Sequence, residues 1–232
     1  MSWTLHSDQG TQVVVSGLET DSDAIEASMA LLSADERLRA DRFVFDADRH
    51  RFVAARARLR ELLGQRLDVR PESVELTYGD QGKPALAPRF AGSALRFNVS
   101  HSQHHAVFAF SCDSEVGVDL EDVRVLPDAD DVAERMFSRL ESATYSVLPP
   151  RDKPLGFFNC WTRKEAFIKA LGEGLSHALD RFDVSLAPGD AARILRVDAT
   201  PGERCGWTLS SFSPAPGLVG AVVTRTRNLE TA

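Results

Sequence analysis

Short apolar or alternating runs in this chain are separated by longer stretches of roughly helical period, and their order defines the architecture the chain predicts. Residues 12–16 read as a strand. Helical patterning begins at Ser22. Ser33 and Glu36 then have the S-x-x-E spacing in which each side chain satisfies the other's free backbone N–H at a helix start, so a long helix is expected from there. Its apolar residues, Leu38, Phe43, Phe45, Phe52, Val53, Leu59, Leu62 and Leu63, keep the helical period only loosely, which predicts a break at 46–48 and a stop at Gly64. Residues 74–78 alternate as a strand and run into a turn-rich loop at 79–84. Residues 95–99, 106–110 and 116–120 read as further strands, with a polar loop following the first of them.

The second half repeats this order. Ser138 and Glu141 again have capping-box spacing, Pro154 suits the first residue of a helix running to Leu171, and Gly172 closes that helix. Residues 182–186, 194–197, 207–212 and 219–224 read as strands, and the polar tail after Arg225 is expected to fray. Helices precede strands in both halves. The expectation is therefore an α+β protein of two similar lobes, each a mostly antiparallel sheet packed with helices, divided as 1–114 and 115–232. No internal sequence repeat relates the two halves.

Composition narrows the function classes. The 232 residues are 43% hydrophobic and 26% charged, as in a folded globular protein rather than a disordered one. The net charge of −7 argues against general nucleic-acid binding, which needs a basic field to neutralise phosphates. No apolar run approaches the roughly 18 to 20 residues that cross a bilayer, and the first residues lack a basic then apolar leader, so no membrane association and a cytoplasmic location are expected. Cys112, Cys160 and Cys205 are widely spaced, which favours reduced thiols over a disulfide framework or a zinc site. Arg37, Arg39, Arg42, Arg49, Arg51, Arg56, Arg58, Arg60, Arg66 and Arg70 crowd one stretch of this acidic chain. Such a run fits either a solvated helix face or a surface for a small polyanion or an acidic protein.

The candidate chemistry centres on GVDLE at 117–121. Strand alternation sends Asp119 and Glu121 to one side and Val118 and Leu120 to the other, with the carboxylate roots about 7 Å apart. At an effective dielectric of about 20 such a pair repels by roughly 2 kcal/mol; it either lies solvated on an exposed face or asks for a cation, and oxygen ligands alone favour Mg²⁺ over zinc. In the following helix Trp161, Glu165 and Lys169 share one face at i, i+4 and i+8. Glu165 and Lys169 would form a plain surface ion pair if considered alone. Beside a two-acid strand they supply a third acid for a divalent ion and a cation for the phosphates such an ion accompanies. Ser100, His101 and Ser102 sit at the end of a strand; no nucleophile elbow surrounds them, and hydroxyls with an imidazole suit phosphate holding better than hydrolysis. Lys83, between Gly82 and Pro84, is an ordinary turn lysine or a further phosphate contact.

Taken in order, GKP at 82–84, FNVSHS at 97–102, GVDLE at 117–121 and WTRKEA at 161–166 followed by Lys169 resemble the motif series of Sfp-type 4′-phosphopantetheinyl transferases. Phe137, Ser138 and Glu141 add to the likeness, as do the arginines around Arg51 and Arg60. The resemblance implies a pseudo-twofold monomer of two α+β lobes with coenzyme A and Mg²⁺ in the cleft between them. It implies metal ligation by Asp119, Glu121 and Glu165, contacts to the 3′-phosphoadenosine end from Ser100 and His101, phosphate contacts from Lys83 and Arg51, and pyrophosphate contacts from Lys164 and Lys169.

The activity so implied moves the phosphopantetheine arm of coenzyme A onto a serine hydroxyl of an apo acyl or peptidyl carrier protein, with 3′,5′-ADP leaving. Asp119, Glu165 and Lys169 would be the catalytic residues, Glu165 being preferred over Glu121 as general base. The carrier is expected to be acidic around its target serine and to be held by residues 123–145, where Met136 and Phe137 are either apolar anchors or helix core. The alternatives are a non-catalytic protein that binds coenzyme A or a carrier, and a different Mg²⁺-dependent phosphohydrolase acting on water.

Overall fold

The computed structural model describes residues 2–6, 10–19, 21–79, 82–172, 179–198 and 206–225; Cys205 and the tail after Arg225 lie outside the described residues. The described chain divides into two compact units. One is built around Val15–Ala94 with His104–Ala106, and the other takes Trp3–Val14, Leu95–Gln103 and the chain from Val107 onward. The fold is α+β, as expected from the order of elements. Among the described residues no helix is long and apolar enough to cross a membrane.

The first unit is mainly helical. Helix α1 (Ser22–Leu31) is capped by Asp21, whose Oδ1 accepts from the Ala24 amide at 2.8 Å. Helix α2 (Ala34–Ala40) starts at the expected capping box, the Ser33 amide donating to Glu36 Oε2 at 3.0 Å. Helix α3 (Asp46–Leu67) follows, so the break falls at 41–45, ahead of the expected 46–48: Phe45 is extended and Phe43 folds back onto Phe52, with ring centroids 5.4 Å apart. Nor does Gly64 stop the helix. The chain runs on to Leu67 and turns at Asp68 in the left-handed conformation. Gly64 serves a different need, since a β-carbon there would lie 2.7 Å from the Val69 carbonyl oxygen as the chain folds back.

Ile25, Leu32, Ala40, Val53 and Ala57 form the small core of these helices. Beside that core Arg60 and Glu36 are both 1% exposed. Arg60 Nε donates to Glu36 Oε2 at 2.6 Å, and its Nη1 donates to the carbonyls of Pro71 and Val74. Much of the arginine run is thus spent inside its own unit: Arg60 is a buried tie, and Arg49, Arg51 and Arg58 pair with Asp46, Asp48 and Glu61 along α3. A single 3₁₀ turn at Pro71–Ser73 is capped by Val74, so the strand expected at 74–78 starts later, and β3 (Leu76–Tyr78) pairs antiparallel with β4 (Pro84–Leu86).

A four-stranded sheet has the order β1-β2-β6-β5, from β1 (Ser2–His6), β2 (Gln12–Gly17), β5 (Leu95–Ser102) and β6 (His105–Cys112). β5 is longer than expected. It carries Ser100, His101 and Ser102 as strand residues, the turn coming only at Gln103, whose φ is 47°.

The second unit also holds β7 (Val116–Asp122), helices α4 (Ala129–Met136), α5 (Arg139–Ser146) and α6 (Lys153–Leu171), the antiparallel pair β8 (Phe182–Val184) and β9 (Ile194–Val197), and strands β10 (Trp207–Phe212) and β11 (Leu218–Arg225). β10, β11 and β7 form an antiparallel sheet in that order, with Asp119 opposite Ala221 and Glu121 opposite Val219. Helix α6 begins at Lys153, one residue ahead of the expected first residue Pro154, which sits in its first turn, and it ends at Gly172 with φ 79° as expected. It lies on β7 and β11 over a core that includes Phe158, Phe167, Ile168, Phe182, Ala221 and Val223. Phe137 belongs to this core, 4% exposed and packed against Tyr145 and Phe157, which settles the choice between anchor and core for that residue. Cys112 and Cys160 are thiols, and burial pushes the Cys160 thiol well up from its ordinary range.

Candidate active site

Gly117, Asp119 and Glu121 share one face of β7 by alternation, and this is the face over which α6 passes. Val118 and Leu120, fully buried, face the other way. On α6, Glu165 and Lys169 are one turn apart and reach the same region. Asp119 is 4% exposed. Its Oδ1 accepts from Lys169 Nζ at 2.6 Å and from Ser100 Oγ at 2.6 Å, and Lys169 Nζ also lies 3.0 Å from Ser100 Oγ. Glu121 Oε2 accepts from Ser102 Oγ at 2.8 Å and lies 3.5 Å from Arg124 Nη1. Burial raises the Glu165 carboxyl above its usual range; the Lys169 ammonium opposes this, and the negative charges of Asp119 and Glu121 reinforce it.

The structure therefore gathers Ser100, Asp119, Glu121, Glu165 and Lys169 into one constellation. His101 follows Ser100 on β5, so alternation turns it to the opposite face, where it is exposed. Lys164 lies elsewhere. It is 1% exposed, its Nζ donates to the Phe182 carbonyl at 2.7 Å, and it is ion-paired with Glu141 at 2.6 Å. Arg51 and Lys83 belong to the first unit, where Arg51 pairs with Asp48 and Lys83 follows Gly82, whose φ is 72°.

Sequence reasoning assigned no role to Asn98 or Arg124. Asn98 is 4% exposed, and its Oδ1 accepts from the Val118 amide at 2.9 Å. The i, i+2, i+4 spacing of Asn98, Ser100 and Ser102 would have revealed a polar face had the stretch been read as strand throughout.

Among the described residues, no group of three or more His, Cys, Asp or Glu side chains is spaced, as the side chains stand, to hold a metal ion. In this state the Lys169 ammonium supplies the positive charge next to Asp119. The donor set nevertheless fits a hard divalent cation. Three carboxylates are close enough to repel one another, and Asp119 Oδ2 is buried with no hydrogen-bond partner. An orphaned carboxylate oxygen in an acid cluster is where such an ion would bind.

The strand and helix thus bring together three carboxylates and a lysine, a donor set that suits a divalent cation and the phosphates such an ion accompanies. The sequence matches the family model "4′-phosphopantetheinyl transferase superfamily" over residues 115–223 and the model "4′-phosphopantetheinyl transferase, N-terminal" over 19–113. The 4′-phosphopantetheinyl transferase HetI of a Nostoc species is 38% identical over 205 residues, covering 88% of this chain and 83% of HetI. The 4′-phosphopantetheinyl transferase Sfp of Bacillus subtilis is 32% identical over 165 residues, covering 69% of each chain. The human L-aminoadipate-semialdehyde dehydrogenase-phosphopantetheinyl transferase is 29% identical over 165 residues, covering 68% of this chain and 53% of that one. The chain belongs to the 4′-phosphopantetheinyl transferase superfamily.

Proposed function

We propose that this protein transfers the 4′-phosphopantetheine moiety of coenzyme A to a serine hydroxyl of an apo carrier protein and releases 3′,5′-ADP. The observation that carries this reading is the convergence of Asp119, Glu121, Glu165, Lys169 and Ser100 where β7 meets α6, in a chain 38% identical to HetI over 205 residues. The reaction is in-line: the serine oxygen forms a bond to the β-phosphorus of coenzyme A, and the bond from that phosphorus to the 3′,5′-ADP oxygen breaks. Glu165 takes the serine proton. Lys169, held by Asp119 and Ser100, offers an ammonium to the charge growing on the leaving oxygen. Asp119, Glu121 and Glu165 would hold a Mg²⁺ ion, which when bound neutralises the pyrophosphate. We infer a division into lobes at 114/115, between the regions matched by the two family models at 19–113 and 115–223, whereas by compactness residues 95–103 and 107–114 go with the second unit.

For the carrier we infer docking along the chain after Glu121. There Val125 is 81% exposed at the rim of a cavity of about 340 Å³ lined by Leu126, Pro127, Pro150, Pro154 and Phe157, with Arg124 as a flanking cation for an acidic partner, while Lys153 at the same cavity is paired with Asp130 at 2.9 Å. The test is intact-mass spectrometry of apo acyl and peptidyl carrier proteins incubated with this protein, coenzyme A and Mg²⁺. The expected gain is one arm of about 340 Da, abolished by EDTA and by Glu165→Ala. No gain on any carrier would overturn the reading, and the carriers that gain mass would define the subtype.

A further inference from the structure

β5 and β7 run side by side but belong to different sheets, and polar side chains of β5 connect them. Asn98 Oδ1 accepts from the Val118 amide at 2.9 Å, Ser100 Oγ donates to Asp119 Oδ1 at 2.6 Å, and Ser102 Oγ donates to Glu121 Oε2 at 2.8 Å while accepting from the Asp122 amide at 3.3 Å. Asn98, Ser100 and Ser102 are alternate residues on one side of β5. Each meets a successive stretch of β7.

Asp119 is 4% exposed and has Lys169 as a second strong partner, so its orientation is fixed twice over. Glu121 differs. It has a longer side chain that remains 23% exposed, and beside Ser102 it meets Arg124, 3.5 Å away and itself 45% exposed. Arg124 is held elsewhere, its Nη1 donating to the Asp122 carbonyl at 2.9 Å and its guanidinium lying 4.9 Å from the Phe158 ring centroid, and its 3.5 Å contact restrains the Glu121 carboxylate only weakly. Ser102, 8% exposed and tied to the backbone of Asp122, is the rigid partner. From this geometry, and resting on the metal-site reading of Asp119, Glu121 and Glu165, we propose that Ser102 is a positioning residue. Its hydroxyl holds the Glu121 carboxylate in one orientation for a divalent cation. Groups that orient metal ligands in this way typically change affinity by about 10- to 100-fold when removed.

The full chain is titrated with Mn²⁺ in the presence of coenzyme A, free Mn²⁺ being read by electron paramagnetic resonance, for the parent, Ser102→Ala, Ser102→Thr, Glu121→Ala and the Ser102→Ala/Glu121→Ala double variant. Thermal midpoints are recorded alongside. Ser102→Ala is expected to weaken Mn²⁺ binding by about tenfold with little change in midpoint, and Ser102→Thr to restore it. The double variant should bind no more weakly than Glu121→Ala, because Ser102 acts only through Glu121. Parent-like binding by Ser102→Ala beside a weakened Glu121→Ala overturns the positioning role alone, as do losses that add in the double variant. Parent-like binding by Glu121→Ala overturns the metal-site reading and this proposal with it.

Discussion

The carbonyl oxygen of Ala166 passes over Gly117 so closely that a β-carbon on Gly117 would lie 2.0 Å from it, and 2.3 Å from the Ala170 amide nitrogen. Both obstacles are helix backbone, which cannot swing aside as a side chain tip could. The absence of a side chain on β7 therefore sets how near α6, with Glu165 and Lys169, comes to Asp119.

Gly117→Ala should force α6 off the sheet. Overpacking of this kind typically destabilises by about 1–3 kcal/mol, and a shift of about 1 Å in catalytic groups lowers rates by about 100-fold. Urea unfolding and carrier-modification rates check both. Gly92→Ala, where nothing lies within 4 Å of the added carbon, should change neither. A Gly117→Ala protein with parental stability and rate would show that this approach does not govern the site.

Lys164 and Glu141 form a buried junction of α5, α6 and β8. Glu141 accepts from the Ser138 amide at 2.8 Å and the Val184 amide at 2.7 Å as well as from Lys164. Removing one partner of a buried pair strands the other charge and usually costs about 3–5 kcal/mol. Lys164→Met and Glu141→Gln should each lower the urea midpoint strongly, and the double variant should lose less than the sum of the two. A pyrophosphate-contacting Lys164 would behave otherwise: Lys164→Met would keep its midpoint and raise the KM for coenzyme A.

The same residues show what the sequence made legible. Strand alternation placed Asp119 and Glu121 on one face, and helical spacing placed Glu165 above Lys169, because both are local periodicities. Pro154 and Gly172 marked the ends of α6 for equally local reasons. Gly64 was misread because a glycine that admits a returning chain is indistinguishable, in sequence, from one that ends a helix; only the nearness of Val69 separates them. Residues 100–102 were read as loop because polar side chains usually mark turns, whereas here their partners are carboxylates and an amide on β7. Lys164 is adjacent to Glu165 but roughly 100° around the helix, and its partner Glu141 is distant in sequence, so no local pattern reveals the pair.

Glu165→Gln keeps the shape of the side chain and removes one negative charge from a cluster of three. In the presence of EDTA this variant should unfold at a temperature no lower than that of the parent, since repulsion by Asp119 and Glu121 is relieved. Transfer should nevertheless fall by about 100-fold or more, the usual contribution of a general base. Retained transfer would move the base to another residue; a marked loss of thermal stability would make Glu165 a structural partner of Lys169.

Asp183 and Arg196 face each other across the β8–β9 pair, with Arg196 Nε donating to Asp183 Oδ2 at 2.6 Å and Nη2 to Oδ1 at 3.1 Å. Burial alone would raise the Asp183 carboxyl, but the hydrogen bonds from Arg196 and Ser138 and the charges of Arg196 and Lys164 outweigh it, and the net displacement is downward. A carboxylate lowered by folding stabilises the native state above its unfolded value of about 3.9, and that contribution disappears as pH falls from there through the folded value. Asp183→Asn should accordingly be less stable than the parent at pH 7. The gap should narrow as the pH is taken below about 4, because the parent then loses what the variant already lacks. Urea unfolding of both proteins at pH 7, 5 and 3 measures the gap directly. A difference that stays constant down to pH 3 would mean that Arg196 is held by the geometry of the strand pair rather than by the charge on Asp183.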